Sequence, residues 1–250
     1  MIRRCITSAV IGSCLLFLAA FVQAQDRTLG SDDQVQPAPA NPVEDVATYD
    51  DDGGRVFILR RDSMRPLADL HFHGGKVMAA PRQYTIFLGS GWSTPWNKAK
   101  AAQVRHNVAS AVSGVAQSAD GPVLASHGVG DISVEPDWQQ DPIVLNDSNG
   151  GTVSDLQIQE ALSESFASGV IGAPDQDTIY TVFLPPGSMS TLGGLLGGKH
   201  YLAYHNFFHI DGVEIRYVVV PFQGNGRLAR SVVRRALIEA ILNPSGDGWF

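Results

Sequence analysis

Short runs of continuously apolar, β-branched or aromatic residues alternate along this chain with longer stretches whose apolar residues recur every three or four positions, and that alternation leaves few architectures open. "RVFIL" (55–59), "QYTIFLG" (83–89), "DPIVLN" (141–146), "DTIYTVFLP" (177–185) and "VEIRYVVVPF" (213–222) read as strands. Between them, Ala101, Val104, Val108, Ala111, Val112 and Val115 fall on one face of a helix over 95–117, with Pro95 in the first turn where a missing N–H costs nothing. Leu156, Ile158, Ala161, Leu162 and Phe166 do the same over 154–168, and a last helix runs over 228–242 until Asn243-Pro244 stops it. Strands interleaved with helices predict a single α/β layered domain over 55–250, with a mixed β-sheet and about three main helices. The stretch 187–198, "GSMSTLGGLLGG", predicts a mobile loop or a set of tight turns.

The N-terminal region is of a different kind. Residues 1–24 have a basic start (Arg3, Arg4), an apolar stretch from Ile6 to Val22, and small residues ahead of an expected cut after Ala24. That is the layout of a secretory signal peptide, with a membrane anchor as the rival reading. Both cysteines, Cys5 and Cys14, lie inside it, so a mature, secreted or periplasmic chain is held by its core and not by disulfides. Over Gln25–Gly54 eight acidic residues face only Arg27, around "QPAPANP", which predicts a disordered, acidic, Pro-rich linker. The remainder carries 15 basic and 17 acidic residues with no basic stripe, which argues against a nucleic-acid partner.

Few motifs carry chemistry. "GGLLGGKH" (193–200) approaches a phosphate-binding loop, but His200 stands where a Ser or Thr hydroxyl should meet magnesium, and a strand and turn follow instead of a helix. No cysteine lies beyond residue 24 and there is no G-x-S-x-G elbow, so an acyl-enzyme nucleophile is not in evidence. His71 and His73 flank Phe72 and would share one side of an extended segment, and His205 and His209 are four apart. Either pair could ligate a metal, and either could be an ordinary hydrogen-bonded pair. Trp92 and Trp96 in "GWSTPWN" would make a sugar-binding platform if both were exposed.

The final helix, "RRALIEAILNP" (234–244), is the most informative segment. In a zinc-peptidase helix of the H-E-x-x-E type, ligands at i and i+4 stack on one face and the Glu at i+1 serves the metal-bound water as base. The motif order "HGGKVMAAPRQYTIFLGSGWS", "DTIYTVFLPPG", "AYHNFF", "EIRYVVVPF" is similar to that of the phosphate-induced (EXORDIUM-like) proteins and their secreted bacterial relatives. "RRALIEAILNPSGDGWF" resembles the closing S-H-E-L-x-E-A-x-T-D-P helix and G-W-Y of many of those relatives. The resemblance spans most of 70–250 and implies a zinc-peptidase-like fold.

It also implies what is altered. Arg235 stands where the first zinc ligand would be, Ala236 where the general base would be, and only Glu239 survives. Arg cannot lose its proton at working pH and so repels a divalent cation, while loss of a base costs about 10²–10⁴ in rate. Relatives continue past the position of Phe250, so a ligand supplied from there would also be missing. The expectation is an inactive metallopeptidase-like domain with no cofactor and an unknown extracellular or cell-envelope ligand. The helix would face the core with Val233, Ala236, Leu237, Ala240 and Ile241, and carry Arg235 and Glu239 as an i, i+4 pair on an exposed face. Two alternatives are an active hydrolase whose zinc is held by a rebuilt Glu239, His205 and His209 set, and a cell-wall or carbohydrate-binding module. If the first 24 residues are a cleaved signal, mass spectrometry of exported material should find Gln25 as the first residue; intact Met1 in the membrane fraction would establish an anchor.

Overall fold

In the computed structural model, strand β6 (Thr178–Phe183) is buried at all six positions and has a parallel neighbour on each side, β3 (Arg82–Phe87) and β10 (Val213–Val220). The described residues are 46–48, 55–60, 70–135, 142–143, 151–222 and 226–248. The expected signal peptide, and most of the expected linker and of "DPIVLN", lie outside them; Ile143 makes a single parallel bridge to Leu88. A strand buried on both faces can be continuously apolar, which is why these three segments are so legible.

The other strands extend this centre. β9 (Ala203–Ile210) forms a hairpin with β10 through a turn at Asp211-Gly212, β2 (Arg55–Leu59) pairs antiparallel with β9, and β1 (Val46–Thr48) pairs antiparallel with β2. β4 (Ser133–Val134) runs parallel to β3 at the other edge, giving a mixed seven-stranded sheet in the order β1-β2-β9-β10-β6-β3-β4. β1 falls inside the stretch expected to be linker; its backbone takes up the open edge of β2, which the local acidity did not reveal.

Helices cover both faces. On one lie α1 (Pro95–Ala116) and α4 (Gly226–Leu242), in one apolar cluster with Leu59, Phe87, Ile179, Val218 and Val220, and with the short α2 (Asp120–Ser126) beside them. On the other lie α3 (Asp155–Ala167) and a small sheet of β5 (Thr152–Ser154), β7 (Met189–Leu192) and β8 (Leu195–Leu196), packed on Ile58, Ile86, Tyr180, Val182 and Val219. The molecule is α/β with mixed sheets and four α-helices among the described residues. α2 was not expected, because "DGPVLAS" carries Gly and Pro in its first turn. β7 and β8 occupy part of the expected Gly-rich loop, with the left-handed Gly193 and Gly194 making the turn between them.

α3 starts at a capping box. Ser154 Oγ accepts from the Gln157 N–H at 3.3 Å, and Gln157 Oε1 accepts from the Ser154 N–H at 2.9 Å. This fixes the first turn of α3, and so the place of Asp155 against the sheet.

Candidate functional site

The last helix was expected to bury one face, and over Val232–Leu242 it is buried at every position but Arg234 and Glu239. Val232, Val233, Ala236, Leu237, Ile238, Ala240, Ile241 and Leu242 are each at most 1% exposed. Ala236, the position of the base in the resembled helix, packs in the core with its neighbours in α1 and the sheet. Arg235 corrects the expectation of an exposed face, since it is only 9% exposed. Ile238 is 1% exposed as well, so the buried surface of the helix extends beyond the expected face. Arg235 Nε donates to Glu239 Oε1 at 2.6 Å, a charge-assisted bond in surroundings where leaving either charge alone would be expensive.

The chain around the helix terminus is fastened closely. The Met78 N–H donates to Ile241 O at 3.0 Å, and the His73 N–H to Gly248 O at 2.9 Å. Gly75 lies so near the Asp247 backbone that a methyl group there would overlap it. Asn243 is 2% exposed, and its Oδ1 accepts from the Gly248 N–H at 2.8 Å.

The three metal-ligand candidates are not gathered. His205 is 4% exposed, stacks on Phe57 with ring centroids 4.9 Å apart, and has Nε2 at 3.2 Å from Asn243 O. His209 is exposed at its side chain and lies 3.9 Å from Glu214, while Glu239 is held by Arg235. Among the described residues no group of three His, Cys, Asp or Glu side chains is placed to hold a metal ion. His71 and His73 are exposed. His200 lies in the loop that approaches a phosphate-binding motif, where its Nδ1 accepts from the Leu196 N–H at 2.8 Å; β9 follows, not a helix.

The tryptophans part company. Trp92 is 1% exposed, edge-on to Phe87, with Nε1 donating to Phe183 O at 3.0 Å. Trp96 is 73% exposed with the Lys100 ammonium 5.2 Å from its ring, so the pair does not form a flat platform.

A constellation absent from the sequence reading sits on the opposite face. Asp155 Oδ1 accepts from Tyr204 Oη at 2.6 Å and Tyr217 Oη at 2.7 Å, and Oδ2 accepts from Asn206 Nδ2 at 3.0 Å and Gln159 Nε2 at 2.9 Å. Burial, and secondly the charge of Asp155, push both phenols well above the usual 10. They are therefore donors, not bases or nucleophiles. Four donors satisfy both carboxylate oxygens, so the cluster fastens α3 to β9 and β10 and leaves little capacity for a substrate. The signal that could have found it is the Tyr-x-Asn on one face of β9 with Tyr217 on β10, opposite a capped Asp.

Comparison with protein-family models, with curated proteins and with solved structures finds no match for the chain.

Two outcomes test this geometry. Asp155→Ala should cost about 3 kcal/mol or more in urea unfolding because it strands two buried phenols, whereas Tyr204→Phe, which removes one of four donors, should cost about 1 kcal/mol. His205 titrates near 4 instead of 6.5, chiefly because burial disfavours its charged form. Between those values the unfolded chain binds a proton that the folded one refuses. Stability is therefore full above pH 6.5 and falls as the pH drops from 6.5 to 4, by up to about 3 kcal/mol. Urea titrations across that range should show wild type losing stability more steeply than His205→Gln.

Proposed function

We propose that the chain is an exported, non-catalytic binding domain of zinc-peptidase-like ancestry, akin to the bacterial EXORDIUM-like proteins, acting on a ligand outside the cytoplasm or at the cell envelope. Its last helix is structural. The observation that carries this reading is the Arg235–Glu239 pair at 2.6 Å. The guanidinium stands at the position of a zinc ligand, and the surviving glutamate is already committed to it. Beside them, Ala236 leaves no base for a metal-bound water and fills core volume.

A rebuilt zinc site would have to break that pair and release His205 from Asn243, and nothing in the arrangement favours it. A sugar-binding face would have to rest on Trp96 without Trp92. Both remain weaker than the structural reading of the helix.

Metal analysis of the purified protein after export should find no stoichiometric zinc, and no cleavage of peptide substrates. Ala236→Glu should destabilise the fold by about 3 kcal/mol or more in urea unfolding, since a carboxylate would lose its solvation at a site 1% exposed. The same holds for the Arg235→His, Ala236→Glu double change. Stoichiometric zinc in the unmodified protein, lost on Glu239→Ala, would overturn the proposal.

A further inference from the structure

The first turn of α1 presents an aromatic surface that holds a single cation. Thr94 Oγ1 accepts from the Asn97 N–H at 3.3 Å, and Asn97 Nδ2 donates to Gly91 O at 2.7 Å, which together fix that turn. It carries Trp96, 73% exposed, a large ring left in water where burial would have been favourable. Four residues on, Lys100 lies on the same flank of the helix and reaches back toward Trp96. Its ammonium is 5.2 Å from the centroid of the Trp96 ring and 5.2 Å from that of Phe222, which follows β10. Phe222 is braced in turn by Trp92, which is 1% exposed, meets it edge-on with centroids 6.1 Å apart, and donates from Nε1 to Phe183 O. The two rings thus come from separate elements, each fixed by contacts other than the lysine.

Among the described residues Lys100 makes no ion pair and no hydrogen bond, so the two rings are the partners of its ammonium. A lysine ammonium is compact and strongly hydrated, and gains little by leaving water for ring faces. Aromatic rings placed about one cation are the arrangement that recognises a methylated nitrogen, which is weakly hydrated and carries its charge on carbons able to touch the rings. At 5.2 Å the Lys100 nitrogen stands farther from each centroid than the about 3.5–4.0 Å of direct contact, a gap that methyl groups on a nitrogen would span. Because Trp96 is open to solvent and the lysine stem is flexible, Lys100 can swing away without disturbing the helix.

We infer that Trp96 and Phe222 form a binding site for a methylated ammonium ion, of the kind carried by choline, and that Lys100 is a tethered occupant which such a ligand displaces. The site uses neither Arg235 nor Glu239, so it stands apart from the reading of α4 as a structural helix, and either could fail without the other.

Choline is a suitable probe, with dimethylbutanol as its uncharged carbon analogue of the same shape and ammonium as a cation without methyl groups. Solution NMR on the full chain at constant ionic strength reads both parts of the inference. In the free protein the ring faces should move the Lys100 ε-proton resonances upfield. Added choline should shift the Trp96 indole N–H and return the Lys100 ε-protons toward their ordinary position, with one-to-one saturation. Lys100→Met, which keeps the apolar stem and removes the competing charge, should tighten choline by about fivefold, the strength of one cation–ring contact at an exposed site. Trp96→Ala should abolish binding, and dimethylbutanol and ammonium should each bind at least about fivefold more weakly than choline. Trp96 is exposed and Lys100 has no partner besides the rings, so both variants leave the core intact, which a melting curve checks. Failure of choline to saturate Lys100→Met by about 100 mM, equal affinity for dimethylbutanol, unchanged affinity in Lys100→Met, or Lys100 resonances unmoved at saturation would each overturn the assignment.

Discussion

The parallel pairing of β6 with β3 on one side and β10 on the other is the constraint that organises everything else. Ile86, Val182 and Val219 are all 0% exposed, and each fully buried aliphatic side chain contributes about 1.5–3 kcal/mol relative to exposure. A sheet centre apolar on both faces must be covered twice. α1 and α4 cover one side, α3 and the small three-stranded sheet the other. The same arrangement sends the connections after β3 and β6 to opposite faces.

The two faces handle polarity differently. On the α3 face, polar groups converge on one carboxylate: Asp155 gathers two phenols and two amides from an adjacent helical turn and two strands. On the α4 face, His205 is kept neutral between Phe57 and the Asn243 carbonyl, and the charges of Arg235 and Glu239 cancel within one helix. Both solutions meet the requirement that a buried polar group find a partner.

How far the sequence could be read depended on the distance over which each feature is encoded. α1, α3 and α4 and strands β2, β3, β6 and β10 are carried by local periodicity and by caps such as Ser154, and their positions agree with that reading to within a few residues. α2 hid behind Gly121 and Pro122, and β7 and β8 behind the glycines that make their turn. The Arg235–Glu239 contact was legible as an i, i+4 pair, but its burial was not, because it depends on α4 being enclosed beyond its expected face. The Asp155 cluster draws Tyr204, Asn206 and Tyr217 from 49 to 62 positions away. It leaves no local pattern, since it is created by the pairing of β9 with β10 and the packing of α3 on both.

The enclosure of α4 also bears on how this protein can vary through descent. An exposed ion pair can lose one member and keep the other in water at little cost. Arg235 is only 9% exposed, so loss of Glu239 would remove a charge-assisted partner from a largely buried cation and cost more than at a surface pair. Positions 235 and 239 are thereby coupled through descent, and a substitution at one changes what the other can tolerate.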